Sequence, residues 1–561
     1  MALLQLDDDT LLHVLGILPV QSVLSLRRTC KRLELLTRQR IVWQAVCHDQ
    51  VLSEGFPFPH RHAATASAAE LERLVLHALR LGRFWLRPSV KPASSLEFQA
   101  SSGTGVSHIR VLPGHGGRYV ATVYKGIWSM ISCWDIGDRT SSLGTAPPRK
   151  LADWSPKSAI FAGFVVNSDP DSEAAIATAV QTGGGQNSIE LLSIVDRDSA
   201  SPSFRSVCNI ATSFKPIALK GDLIAFSDDA YETVVMNWRQ NTLALLKGSQ
   251  QPMDERFQYN RCLHIVFAHR SILVVRARSV ELFPEPELQP AQGSFTTYDP
   301  VGFHTFGWID GVSVILQSDS MRSRDVPAKP EHAPLSILLR TESDDPWASD
   351  VHKLEQFLLL PDPTFEGRSN SENPVSTGVV DELDPASSAP PAPASASPYV
   401  FPPVRAERTS PTVRGFLRCP DIVLGPCGTA LWIQPRARTT AHLTGLDVHS
   451  STAQVWDSFN PDYSHLDAPD DRSDAHRTLQ QVRPAPSPRA PDREKTAETL
   501  CAAVFAGSLQ WRHPELLQPH ARKVWAQPKD NCNWTAFDYD EERGRVALGS
   551  SDGSVVVLDF V

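Results

Sequence analysis

The sequence has nine cysteines, at 30, 47, 133, 208, 262, 419, 427, 501 and 532, but no Cys-x-x-Cys pair. An odd number of scattered thiols fits neither a disulfide framework nor a zinc site. It points to reduced cysteines in the cytoplasm and/or the nucleus. No run of eighteen apolar residues occurs, and the amino terminus carries aspartates where a secretory leader needs basic residues and an apolar core. A membrane partner is therefore not expected. Without a secretory route, Asn533-Trp534-Thr535 matches a glycosylation acceptor by chance. Excess positive charge is also missing: the net charge is −9, which does not favour a nucleic-acid partner. The basic run from Arg27 to Arg40 is local and reads as a solvated helix face.

Catalytic constellations are equally scarce. The chain has no phosphate-binding Gly-x-x-x-x-Gly-Lys-[Ser/Thr] loop, no His-Glu-x-x-His and no Cys/His zinc pattern. The glycine run 183–185 has no helical pattern after it and reads as a hairpin turn. His60 and His62 lie in a Pro-rich connector without Cys or carboxylate support, a poor metal site. Cys419 and Cys427 read as buried thiols in a strand pair. No catalytic residue, metal or cofactor is expected. An enzymatic reading has no metal or nucleophile pattern to rest on.

The helical signal is concentrated at residues 6–48, read as three short helices. Leu11, Leu15 and Leu18 form one stripe at i, i+4 and i+7. Asp7, Asp8 and Asp9 stand before it, where carboxylates can accept from the free N–H groups of a first turn. Pro19 closes that helix. Val23, Leu26, Cys30 and Leu33 make a second stripe, with Arg27, Arg28, Lys31 and Arg32 opposite. A third segment, 41–46, carries Trp43. So small a core is marginal alone. Leu12, Val14, Val20 and Leu24 are apolar beyond what one stripe per helix needs, so the rest of the chain or a partner must cover them. Residues 51–66 read as a connector, and 68–87 as one amphipathic helix, acidic early and basic late, that spaces the first unit from the remainder of the chain.

From about residue 96 the pattern changes to short β-branched and aromatic runs separated by Gly, Asp, Asn and Ser turns. The clearest unit is 114–135, with strands at 118–124 and 128–134. Pairs follow at 174–180 with 189–195, 222–226 with 233–238, 271–276 with 279–283, and 311–317 with 335–340. The runs 430–434 and 454–457 recur, and 545–549 with 554–560 closes the chain. Hairpins repeating every thirty to fifty residues read as β-propeller blades, six to eight of them with seven the central count. Pairing of the last strand with an early one would close the ring. The fold class is thus multidomain: a small all-α unit (1–50), a connector and spacer helix (51–95), and an all-β propeller (96–561). Two Pro-rich stretches, about 363–412 and 462–496, read as disordered insertions. Ser397, Ser410 and Ser487 each precede Pro there and are candidate kinase sites, although Pro-rich composition also accounts for them.

The first unit resembles the F-box. The pattern reads Leu6, Leu11-Leu12, Val14-Leu15, Leu18-Pro19, Val23-Leu24, Leu26-Arg27, Thr29-Cys30-Lys31-Arg32-Leu33 and then Trp43. It departs from the family where Asp7 replaces the Pro after the opening Leu. Ser132-Cys133-Trp134-Asp135 resembles a WD-repeat ending, echoed at 455–457 and 557–559. The whole is similar to the divergent propellers that follow an F-box in many fungal proteins. The resemblance implies docking to a Skp-type adaptor, and through it to a cullin scaffold and a RING subunit of a ubiquitin ligase. Leu6, Leu11, Leu12, Leu15, Leu18, Pro19, Val20 and Leu24 are the expected adaptor-binding set, shared in part with the internal core. The propeller would hold an unknown target protein. The alternative is a propeller scaffold outside any ligase, whose N-terminal helices merely pack on it.

Overall fold

The computed structural model describes residues 5–59, 64–137, 147–195, 203–249, 260–291, 296–317, 332–341, 351–365, 397–413, 419–434, 498–517, 520–529 and 532–561. Among these, seven sheets, each built on four antiparallel strands, follow one another along the chain as propeller blades. Blade 1, from inner to outer strand, is Val106–Val111, Tyr119–Lys125, Ser129–Asp135 and Arg149–Trp154. The inner strands of blades 2 to 7 are Ala159–Val166, Lys215–Lys220, Cys262–Ala268, Ile309–Leu316, Ile422–Leu424 and Trp534–Asp540. Blade 3 adds the short strands Gln289–Pro290 and Thr297–Tyr298 to its outer strand. The ring closes as the sequence led one to expect: Ser94–Gln99 pairs with Ser554–Asp559 and becomes the outer strand of blade 7.

The core is a set of wedges between neighbouring blades. Side chains alternate along a strand, so each buried strand feeds two wedges. In blade 6, Ala430 and Trp432 face blade 5, while Leu431 and Ile433 face blade 7. This double demand explains why the inner and middle strands read as continuous apolar runs. Residues 183–185 lie in the hairpin turn of blade 2. Trp134 Nε1 donates to Thr122 Oγ1 at 3.0 Å within blade 1, whereas His115 instead stacks on Tyr119.

Three expectations change. The second helix is two: α2 (Val20–Arg27) and α3 (Lys31–Thr37), following α1 (Asp8–Ile17) and followed by α4 (Arg40–Cys47). Thr29 Oγ1 donates to the Leu26 carbonyl and Cys30 is extended, which breaks the helix although both halves keep their apolar stripe on one side. The stretch 363–412 runs into Val404–Val413, the outer strand of blade 5. An outer strand needs no apolar alternation, and Pro411 is tolerated at a sheet edge. The partner of Thr429–Gln434 is Thr499–Val504. The run 454–457, the stretch 462–496, residues 366–396, Ser487 and His60 to His62 lie outside the described residues.

The spacer helix α5 (Ala68–Trp85) packs on both units. Its Phe84 and Trp85 meet Phe560 at 4.8 and 5.6 Å, and Arg522 donates to the carbonyls of Trp85 and Arg87 at its C-terminal end. Gly82 sits in the last turn of α5 because a Cβ there would lie 2.3 Å from the Phe56 ring. Gly55, at φ +69°, passes 2.4 Å (Cβ position) from the Ser508 carbonyl oxygen, docking the connector on blade 6. The helices therefore join the wedge between blades 6 and 7.

His77 of α5 faces the turn after the inner strand of blade 7, where its Nε2 lies 3.1 Å from the Arg543 carbonyl. Burial, and then Arg543, Arg80 and Arg73, push its pKa from 6.5 down to about 4. The unfolded chain then binds more protons than the folded one between those values. Stability from this site is complete above pH 6.5 and is lost as pH falls toward 4. At full effect the slope is about 1.4 kcal/mol per pH unit. His77→Gln keeps a donor for Arg543 but cannot titrate. Its denaturant midpoint should fall less than wild type's between pH 6.5 and 4.5; equal falls would place the acid sensitivity elsewhere.

Candidate adaptor surface and propeller faces

Arg27 is the junction of the helical unit. Its guanidinium takes both carboxylate oxygens of Glu72 on α5 at 2.7 and 2.9 Å, donates to the Thr37 carbonyl at 3.0 Å, and lies over the Trp43 ring at 5.7 Å. Trp43 is wholly buried and donates its Nε1 to the same carbonyl. It belongs to the internal core. Gln50 clamps the Leu18-Pro19 turn: its amide donates to the Leu18 carbonyl and accepts from Val20 N. Asp7 is the N-cap of α1 and accepts from Thr10 N, a hydrogen bond that, with the one from the Thr10 hydroxyl, holds its carboxyl below the usual range. The residue that departs from the family pattern therefore caps the helix.

These fixed points sort the expected adaptor-binding residues. Leu11, Leu15 and Val20 are buried in the shared core. Leu12, Leu18 and Leu24 are half-buried at its border, and Leu6 and Pro19 are exposed. The Leu6 carbonyl accepts from Arg32, which also pairs with Asp8, so the entry to α1 is tied to α3. Three exposed apolar residues were outside the expected set: Ile17 at 65%, Leu35 at 70% and Ile41 at 58% exposure. Each lies off the buried stripe of its own helix, and that mismatch is the signal that could have found them. A polar, water-facing position in a helix does not need a large aliphatic side chain.

In the propeller, the inner strands line a channel of about 980 Å³. Arg110 inside it donates to the carbonyls of Ile109 and Phe537 and is offset by Asp421 and Asp538, whose carboxylates accept from Phe537 N and Val111 N. Burial, then nearby cations, pushes His108 to about 3 and His264 to about 4, so both are neutral near pH 7. Cys47, Cys133 and Cys501 are buried thiols pushed up to about 12, unsuited to act as nucleophiles. Gly549 to Gly553 has the Gly-x-Ser-x-Gly spacing, although no such elbow was expected of this chain. It lies at the strand-to-strand turn of blade 7, where a nucleophile elbow needs a strand-to-helix turn. Among the described residues no three His, Cys, Asp or Glu side chains are grouped to hold a metal, and no helix is long and apolar enough to cross a membrane.

The two propeller faces differ. A hollow of about 730 Å³ lies where the inner strands end, lined by Val111, Leu316 and Asp540 together with Pro57 and Phe58 of the connector. The helical unit therefore sits at that end. The opposite face, where the inner strands begin, carries the turn between Tyr119–Lys125 and Ser129–Asp135, because Val106 pairs with Tyr124.

Helical unit and propeller together define an F-box chain with a seven-bladed β-propeller. The family model for the F-box domain matches residues 3–45. A comparison with curated proteins returns no match. Solved structures resemble the chain at low score. One chain is from a humanized mutant of the Chaetomium thermophilum Polycomb Repressive Complex 2 bound to the inhibitor GSK126: 11% identity, TM-score 0.41, covering 84% of this chain and 98% of that one. Another is from an active polycomb repressive complex 2 in the basal state: 12% identity, TM-score 0.41, covering 84% and 97%. The fold itself rests on the strand pairings above.

Burial gives a direct stability prediction. Leu15→Ala should cost about 2–5 kcal/mol in urea or guanidinium unfolding, and Ile17→Ala within about 0.5 kcal/mol of zero. A comparable loss for both would mean that Ile17 is covered in the folded protein.

Proposed function

We propose that this chain is the substrate-recognition subunit of an SCF-type cullin-RING ubiquitin ligase. Its F-box binds a Skp-type adaptor, which connects it to cullin and RING subunits, and its propeller holds a target protein. The general statement, an F-box fused to a propeller, fits such a subunit as a class. The observation that carries the finer reading is the outward surface of the helices. Ile17, Leu35, Leu6 and Pro19 stay exposed although the same helices already share a core with the propeller. Helices that served only to cap the propeller would not need them. The subunit contributes no chemistry of its own. It raises the effective concentration of a target lysine near the charged ubiquitin carrier, as any tether does. We place this work in the cytoplasm, the nucleus or both.

The scaffold reading also has an observation in its favour, since α5 packs onto blade 7, with Phe84 and Trp85 against Phe560. Exposed apolar positions separate the two readings where buried ones cannot, because a charge at Leu11 or Leu15 would unfold the core.

Co-purification with a Skp-type adaptor is the deciding measurement. The wild type should capture the adaptor. An Ile17→Asp, Leu35→Asp variant should lose capture by about tenfold or more, as for residues worth about 2 kcal/mol at an interface centre, with its circular dichroism and unfolding midpoint unchanged. Absence of capture by the folded wild type would leave the scaffold reading.

A further inference from the structure

Between α5 and blade 7 lies a cleft of about 230 Å³. One wall is a stripe of the helix: Arg73, His77 and Arg80 fall at i, i+4 and i+7, on one side of α5. That side faces the blade, because His77 Nε2 lies 3.1 Å from the Arg543 carbonyl. The other wall is the end of blade 7, with Arg543, Arg545 and Asp559. Four guanidiniums thus line a small cleft in a chain of net charge −9.

Their partners do not match them. Arg545 and Asp559 satisfy each other: Arg545 Nε donates to Asp559 Oδ1, and its Nη1 to the Gly117 carbonyl, both at 2.6 Å. Arg543 is held more loosely. Its Nε reaches Asp540 only at 3.6 Å. Its side chain lies across the turn at Gly116 and Gly117, where a Cβ at Gly117 would stand 2.4 Å from its Cδ. Among the described residues its two Nη groups meet no acceptor, and exposed Arg80 has neither an acceptor nor a carboxylate partner. The remaining side-chain acid of the lining, Glu542, is exposed and already engaged. His77 registers the imbalance. After burial, the groups that hold its pKa low are all cations: Arg543 first, then Arg80 and Arg73. The hydrogen-bonding capacity left over in the cleft is donor capacity, at positive potential.

We propose that this cleft binds a phosphate group, with Arg80 and the Nη groups of Arg543 donating to its oxygens and Arg73 adding charge. Guanidinium forks suit phosphate, which offers several acceptor oxygens in one compact group. The volume admits a phosphate and a small remainder. A small phosphorylated molecule and a single phosphorylated side chain present the same chemistry, and the test separates these two sources. Either would touch α5 and blade 7 together, so binding would strengthen the seat of the helical unit on the ring. The site does not depend on the proposed function.

Isothermal titration calorimetry of the full chain with inorganic phosphate and with pyrophosphate, at pH 7 and constant ionic strength, tests the site. Saturable binding is expected, weaker by about tenfold or more in Arg80→Glu and in Arg543→Gln. Arg80→Glu changes one exposed side chain and keeps the test decisive if Arg543→Gln misfolds. His77 gives an independent readout. An anion among its cations favours the protonated imidazole, so phosphate should move its titration midpoint upward by about one pH unit. NMR of the histidine rings follows that midpoint, with His77→Gln assigning the signal, and the rise should vanish in Arg80→Glu. No saturable binding, equal binding of acetate at that ionic strength, or unchanged affinity in both arginine variants would overturn the proposal. So would binding that leaves the His77 midpoint in place, which would put the phosphate elsewhere. Competition by N-acetyl-phosphoserine amide as strong as by phosphate would support the site with a phosphorylated side chain as its source. Competition by pyrophosphate but not by that amide would support it with a small molecule.

Discussion

The apolar wedge between blades 6 and 7 is where the chain becomes one body. Blade 6 supplies Leu431 and Ile433, blade 7 supplies Trp534, Phe537 and Tyr539, and α5 sets Phe84 and Trp85 against Phe560, continuing the cluster into the helical core where Val42 and Val46 of α4 lie. A forty-residue helical unit has too little interior to be robust alone, and here it borrows a blade boundary. Two glycines make the approach possible: Phe56 fits against Gly82, and Gly55 fits against Ser508. The Arg27–Glu72 pair then ties α2 to α5, so a helix bonded to the F-box core on one side is packed on the propeller on the other.

Ring closure fixes where this happens. The strand Ser94–Gln99 comes from just after α5 and completes blade 7. Ala93 N donates to the Asp559 carbonyl and Phe560 N to the Gly544 carbonyl, at the end of the blade where α5 lies. Eight residues separate Trp85 from the closing strand, and the stacking of Phe84 and Trp85 on Phe560 seats α5 at blade 7. The same pairing that removes the propeller's exposed edge also sets the position of the F-box. On the proposed function, a target on the ring would be held at a set distance from the helices, and a short, stiff connection raises effective concentration more than a long, slack one.

Much of this was legible in the sequence, and the illegible parts share a cause. The hairpins of blades 1, 2, 3, 4, 5 and 7 announced themselves because both faces of a propeller strand are buried and the turns carry Gly, Asp and Ser. The outer strand Val404–Val413 did not, since an edge strand is under no such demand. The break at Thr29-Cys30 was hidden because α2 and α3 keep one continuous apolar stripe across it. Periodicity also says which residues share a face without saying what that face meets. Leu11 and Leu15 were correctly grouped, yet the core claims them and leaves Ile17 and Leu35 to solvent. Arg27 was read as part of a solvated basic face, because its partner Glu72 is distant in the chain.

Exposed apolar side chains are ordinary when scattered singly, and informative when they gather where the sequence had polar alternatives. Folding does not require Ile17 and Leu35 to be apolar, since each lies off the buried stripe of its own helix. Stability therefore does not account for them. They lie on the F-box helices, which the wedge of blades 6 and 7 joins to the ring. A chain that only needed to fold would leave neither apolar.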